Sequence, residues 1–223
     1  MNRLIINTLT ITAILISTIA CKGDQKNETD ATNAKDVATP EAQATTYNVD
    51  TAVSTISWVG SKPSGTHQGT IAVQSGAMQV ASDNTITGSF VIDMNTITVT
   101  DLEGDGKASL EAHLKGAAEG KEDHFFNVAK HPTASFEVTG ISEKEGVKMM
   151  DGNLTIKGIT KNITFPVAYT VGGDTMTLDS KPFTIDRTKW GIEFMSKSVF
   201  DDLKDKFISD DMEITISIKA TKA

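Results

Sequence analysis

The chain has 223 residues, 39% of them hydrophobic, and a formal net charge of −8 at pH 7. An acidic chain with scattered lysines offers nucleic acid no electrostatic footprint. It is also repelled by anionic lipid head groups, so attachment to a membrane would need an anchor of another kind. A single cysteine, Cys21, excludes an internal disulfide and leaves the fold to its core.

The first predicted element is an export signal, Met1–Ala20. Arg3 gives a short positive start, Leu4–Ile19 is uncharged and apolar, and small Ala20 precedes Cys21. This junction resembles a bacterial lipoprotein cleavage box, with Thr18 standing where such boxes usually carry Leu. It predicts removal of residues 1–20 and a diacylglycerol on the Cys21 sulfur. The competing reading is a membrane-spanning helix, for which the run is short. Lys22 follows Cys21. It is not the acidic residue associated with inner-membrane retention in some bacteria, so the expected location is the bacterial cell envelope, with the outer membrane preferred. Lys22–Thr46 holds no Leu, Ile, Met or aromatic residue. Such a stretch cannot bury enough apolar surface to offset the entropy of ordering it, and residues 21–46 are read as an acylated, disordered tether.

From Tyr47 to the end, at residue 223, the chain reads as one all-β domain. Tyr47–Val59 and Gly65–Val73 supply the first strands. In Thr85–Met94, Ile86, Phe90, Ile92 and Met94 share one face with Gly88. In Asn162–Val171, Ile163, Phe165, Val167, Tyr169 and Val171 form one row. In Met212–Ala220, Ile214, Ile216 and Ile218 alternate with polar residues. Thr133–Ile141 alternates less cleanly, and Asp151–Ile159 and Thr175–Ile185 complete the set. Asp83-Asn84, Asp151-Gly152-Asn153 and Gly172-Gly173-Asp174 supply residues that tolerate the positive φ of tight turns. About eight strands joined by short turns fit a closed up-and-down barrel or a two-sheet sandwich. Two segments break the pattern and read as short helices or helical loops: Lys107–Glu119, with Leu110 and Leu114 at helical spacing, and Val199–Ile208.

The candidate chemistry is sparse. Asp101, Glu103, Asp105 and Gly106 resemble the start of a calcium loop, but Ala112 stands where the closing bidentate Glu is required. None of His67, His113, His124 and His131 forms a close pair at metal-ligand spacing, no cysteine supports them, and no metal or other cofactor is expected. His113 reads as an exposed residue of the helical segment. Arg187 beside Asp186 fits an ion pair that pins a turn, or a cationic partner for an oxyanion or hydroxyl head group. No nucleophile–base motif or phosphate-binding loop is present. An enzyme built on the Asp201–Asp211 acidic cluster with His124 remains a separate reading.

The order of short motifs is specific. It runs Trp58-Val-Gly-Ser-Lys62, Gly65-Thr-His-Gln-Gly69, Gly88-Ser-Phe-Val-Ile-Asp-Met94, His113-Leu-Lys115 and Phe125-Phe-Asn-Val128. It continues through His131-Pro-Thr-Ala-Ser-Phe136, Gly152-Asn-Leu-Thr-Ile-Lys-Gly158, Ile185-Asp-Arg-Thr-Lys-Trp-Gly-Ile192 and Asp210-Asp-Met-Glu-Ile214. From Tyr47 to Ala220 the chain resembles the YceI-like polyisoprenoid-binding family. The resemblance implies a lipocalin-like antiparallel barrel in the bacterial envelope, an apolar tunnel holding an isoprenoid chain or similar lipid, and no catalysis. Asp101–Asp123 is longer than the family's usual connection, which implies a reshaped tunnel mouth. Alternation names Phe90, Ile92, Phe136, Leu154, Ile156, Phe165, Val167, Phe183, Ile185 and Trp190 as lining candidates. His67 and Arg187 are the head-group candidates. The rival expectation is a barrel filled by its own side chains that serves as an interaction module.

Overall fold

The structure, a computed structural model, describes residues 29–37 and 43–223. The leader and Cys21 lie outside the described residues. In chain order the strands are β1 (Thr32–Asn33), β2 (Thr45–Val49), β3 (Thr55–Lys62), β4 (Gly65–Val80) and β5 (Ile86–Val99). Helix α1 (Gly104–Lys115) follows. Then come β6 (Thr133–Lys144), β7 (Val147–Ile156), β8 (Ile159–Gly172), β9 (Thr175–Ser180), β10 (Phe183–Asp186) and β11 (Asp211–Lys222).

Antiparallel ladders join β3 to β4, β4 to β5 and so on to β9, and β11 closes the ring by pairing with both β9 and β3. The result is a ring of eight strand positions, the lipocalin-like barrel, and the sandwich alternative is excluded. Two positions are shared between short strands. Along one edge of β11, β3 gives way to β2. Along the other edge, β9 gives way to β10.

Alternation places one row of each strand inside. Phe90, Ile92 and Met94 of β5 are buried, and in β6 the buried row is Ala134, Phe136 and Val138 with Glu137 outside. In β5 the inward row changes phase after Met94, and Ile97 and Val99 carry it on. Thr96 makes the shift possible: its Oγ1 donates to Asp93 O at 2.6 Å and accepts the Ala72 N–H at 2.8 Å. Register shifts between β4 and β5 at the same level bend the wall. Inward glycines admit aromatic rings. A Cβ on Gly152 would collide with the Phe136 ring, and one on Gly69 with the Trp58 indole. Gly88, which could have left an internal gap, instead lets the β4 backbone approach: a Cβ there would lie 2.7 Å from Ala77 O.

Helix α1 caps one end of the barrel. It stops at Gly116, whose φ of 73° suits glycine, and Glu111 Oε1 ties it to the barrel by accepting the Val99 N–H at 2.9 Å. The second helical segment is reduced to a single 3-10 turn, Lys204–Lys206, inside a loop. Alternating Asp and Lys around Leu203 and Phe207 mimic a helical pattern without an apolar stripe long enough to propagate one.

The predicted tether differs from expectation over its described part. Thr29 is buried, and Thr32–Asn33 pair with Asn162 and Lys161 of β8. This ordering rests on backbone hydrogen bonds to a sheet edge, a source of stability that a count of apolar residues does not register.

Candidate ligand-binding cavity

The barrel encloses a cavity of about 310 Å³. Its walls come from the inward rows of β3 to β8, β10 and β11, with one residue from β9, and its end is covered by Leu110, His113 and Leu114 of α1 together with Phe125 and Phe126. Eight of the ten alternation-derived residues face it: Phe90, Ile92, Phe136, Leu154, Ile156, Phe165, Phe183 and Ile185. The rings of Phe165 and Phe183 stack at 4.4 Å across the β8–β10 boundary, and Phe136 tilts against Phe165 at 5.6 Å.

Two lining candidates sit elsewhere. Val167 is buried in the core but lies off the cavity, where β8 pairs with β9 instead of passing β10. Trp190 is fully buried and its Nε1–H donates to Leu154 O at 3.1 Å, so it is a plug behind the wall. Alternation identifies a face; it does not identify the level along the barrel at which the interior stays empty.

Several lining residues were not among the sequence candidates. Trp58, Ile71, Met212 and Ile214 belong to strands whose alternation was legible, so the signal was present. His113 is the clearest correction. It is not a plain exposed residue but lines the cavity, shares a hydrogen bond with His124 (Nε2 to Nδ1, 2.9 Å), and packs edge-on against Phe125 and Phe194. Burial, then the nearby His124 and Lys121 charges, hold its pKa below the ordinary histidine value. His124 in turn stacks on Phe194 at 3.8 Å. Asp210 of the acidic cluster is bound by Ser198 and Arg187, whereas His124 bonds to His113 and stacks on Phe194.

The polar members of the lining gather at the capped end: Ser61 and Lys62 at the β3–β4 turn, His67, Arg187 and Ser209. The two head-group candidates have different surroundings. Arg187 is 1% exposed, and its guanidinium donates to Ser209 O at 2.9 Å, Ile192 O at 2.6 Å and Ile208 O at 3.0 Å. Its Nη2 lies 3.6 Å from Asp210 Oδ1. Burial pulls its pKa down while Asp210 and Asp186 push it back. Every arm of the fork is engaged in tying the loop after Trp190 to the start of β11, which is the pinning role. His67 places Nδ1 2.8 Å from Asp101 Oδ2. Asp101 also accepts the Gln68 N–H at 3.0 Å, and these two bonds keep its carboxyl below the usual carboxylate range. The pair fixes the imidazole orientation and leaves Nε2 as the ring nitrogen that Asp101 does not use.

Residues 47–220 match the family model described as YceI-like domain. A UPF0312 protein of Yersinia pestis (strain Pestoides F) is 32% identical over 101 residues, 42% of this chain and 50% of that protein. A UPF0312 protein of Azotobacter vinelandii is 36% identical over 63 residues, 28% of this chain and 30% of that protein. The match thus spans about half the length of the Yersinia relative. Among solved structures, Burkholderia cenocepacia BcnA superposes with a TM-score of 0.57 at 22% identity, over 78% of this chain and 99% of that one. A polyisoprenoid binding domain from Saccharophagus degradans, implicated in plant cell wall breakdown, gives 0.55 at 13% identity, over 79% and 98%. At these identities the likeness is one of fold. The ring of eight strands and the family match over almost the whole domain agree: this chain belongs to the YceI-like domain family.

Proposed function

We propose that this protein binds a long apolar lipid of the polyisoprenoid kind in its barrel and serves as an envelope carrier or store. The observation that carries the reading is the apolar cavity of about 310 Å³, where a filled barrel would leave none. Ligand pockets run from about 300 to 1,000 Å³. This one holds a chain segment, and a longer tail must widen the interior or leave through the wall. Burial of each methylene is worth about 0.8 kcal/mol, so even a partial tail has a large gross driving force. Family membership and the polyisoprenoid binding domain among the structural neighbours support a binding protein over an enzyme. His67, oriented by Asp101 beside Lys62, is the group suited to a polar lipid head; Arg187 is already engaged by the protein.

Attachment through an acylated Cys21, with removal of Met1–Ala20 and an outer-membrane location, completes the proposal. Mass spectrometry of an organic extract of protein purified from native cells tests the cargo. A reproducible long apolar lipid is expected, and repeated preparations without one overturn the reading. Metabolic labelling with an alkyne fatty acid, present in the native chain and absent from Cys21→Ser, tests the anchor.

A further inference from the structure

We propose that residues 29–37 are a removable strand of the barrel wall, and that their docking controls a side entrance to the cavity. The wall has a seam. β8 pairs with β9 only over Val167–Gly172, while β10 pairs with β11. Among the described residues no ladder joins the first half of β8 to β10. Both edges of that seam carry cavity-lining side chains, Ile163 and Phe165 on β8 and Phe183 and Ile185 on β10.

The seam is closed in two layers. Inside, Phe165 stacks on Phe183. Outside, Thr29 spans the gap: its N–H donates to Thr184 O of β10 at 3.0 Å and its Oγ1 donates to Thr164 O of β8 at 3.0 Å. Ala31 packs against the core, and Thr32 and Asn33 extend the β8 ladder. The segment is then latched on β7. The Asn153 side-chain amide makes a matched pair with the Lys35 backbone: its Oδ1 accepts the Lys35 N–H at 3.0 Å and its Nδ2 donates to Lys35 O at 2.7 Å. Asn153 is 4% exposed, and Asn162 beside it donates to Asn153 Oδ1 at 3.2 Å. The Lys35 ammonium adds an ion pair with Asp151 at 3.4 Å.

Among the described residues this strand is held by these hydrogen bonds, the Lys35–Asp151 ion pair and one small apolar contact, that of Ala31. Segments with few buried apolar contacts open at low free energy, and this one lacks the buried apolar row that each strand of the ring carries. A slot on the side suits a chain longer than the cavity. Cys21 precedes Thr29 by eight residues, at most about 28 Å of chain. On the lipidation reading the strap therefore links the entrance to the anchor.

Access to the cavity through the seam does not depend on which cargo it holds. In full-length protein carrying Cys21→Ser, a thiol placed inside by Ile163→Cys reports entry of a small methanethiosulfonate reagent. Adding Asn153→Ala, which removes the latch, is expected to raise the labelling rate several-fold with the far-UV circular dichroism unchanged. An unchanged rate overturns the proposal. The converse variant, Asn33→Cys with Lys161→Cys, locks the strap across a paired position in the Cys21→Ser chain. Its oxidised form is expected to release N-phenyl-1-naphthylamine several-fold more slowly than its reduced form, and equal release rates also overturn the proposal. If the native protein fails to bind this apolar probe, the lipid reading fails and the thiol-labelling result still decides on the strap.

Discussion

Replacing Arg187 with Met separates the two roles open to this residue. The methionine retains an apolar stem of similar reach but removes the charged fork. Three backbone carbonyls, of Ile192, Ile208 and Ser209, then lose their donors, and the Asp210 carboxylate loses its cation. Asp210 Oδ1 is buried and accepts no hydrogen bond among the described residues, where its partner is that cation. Breaking a buried charged pair by removing one partner costs about 3–5 kcal/mol, because the other is left uncompensated. For a domain of this size, each kcal/mol lowers Tm by about 2–4 °C, so a fall of roughly 6–20 °C is expected. Circular dichroism melts give the Tm, and titration with N-phenyl-1-naphthylamine at 20 °C, below the transition, gives the affinity. Arg187→Lys keeps the charge but loses the fork, and should fall between the two. A Tm within about 2 °C of the native value together with abolished probe binding would refute the pinning role and return Arg187 to the ligand.

Other consequences follow from the interior. Gly152→Ala places a methyl group in the space of the Phe136 ring, and a loss of about 1–3 kcal/mol is expected by urea denaturation from overpacking. Ala134→Phe adds a ring to the cavity wall, and the bound probe fraction should drop with Tm little changed; an unaltered binding isotherm contradicts the assignment of the cavity. His113 has its folded-state pKa pushed below the ordinary histidine value of 6.5, chiefly by burial. The unfolded chain then binds the extra proton first, so stability from this group is present above about pH 6.5 and is lost as pH falls below it. Tm should decline between pH 7.5 and 5.5, and His113→Gln should flatten that decline.

The strand character of the domain, its count of about eight strands and the inward faces of β5, β8 and β11 were legible in the sequence because a strand has only two faces and one of them must be dry. The motif series made the family legible for the same residues. The inward row of β6, Ala134, Phe136 and Val138, and the closure of the ring were settled by the ladders. The tertiary structure alone decided where along the barrel the interior stays open, and so why Val167 and Trp190 fall away from the cavity while Trp58 and His113 reach it. Period-two alternation carries no information about height within a barrel, and the cap residues contact the interior only after the chain has closed. The structure also assigned Arg187 to the loop it holds, since carbonyl partners from Ile192, Ile208 and Ser209 converge only in space. The docking of Thr29–Val37 was invisible for a different reason. It is held by backbone groups that every residue possesses, by side chains such as Asn153 and Asp151 that meet it only in space, and by a gap between two strands that exists only when the ring is built.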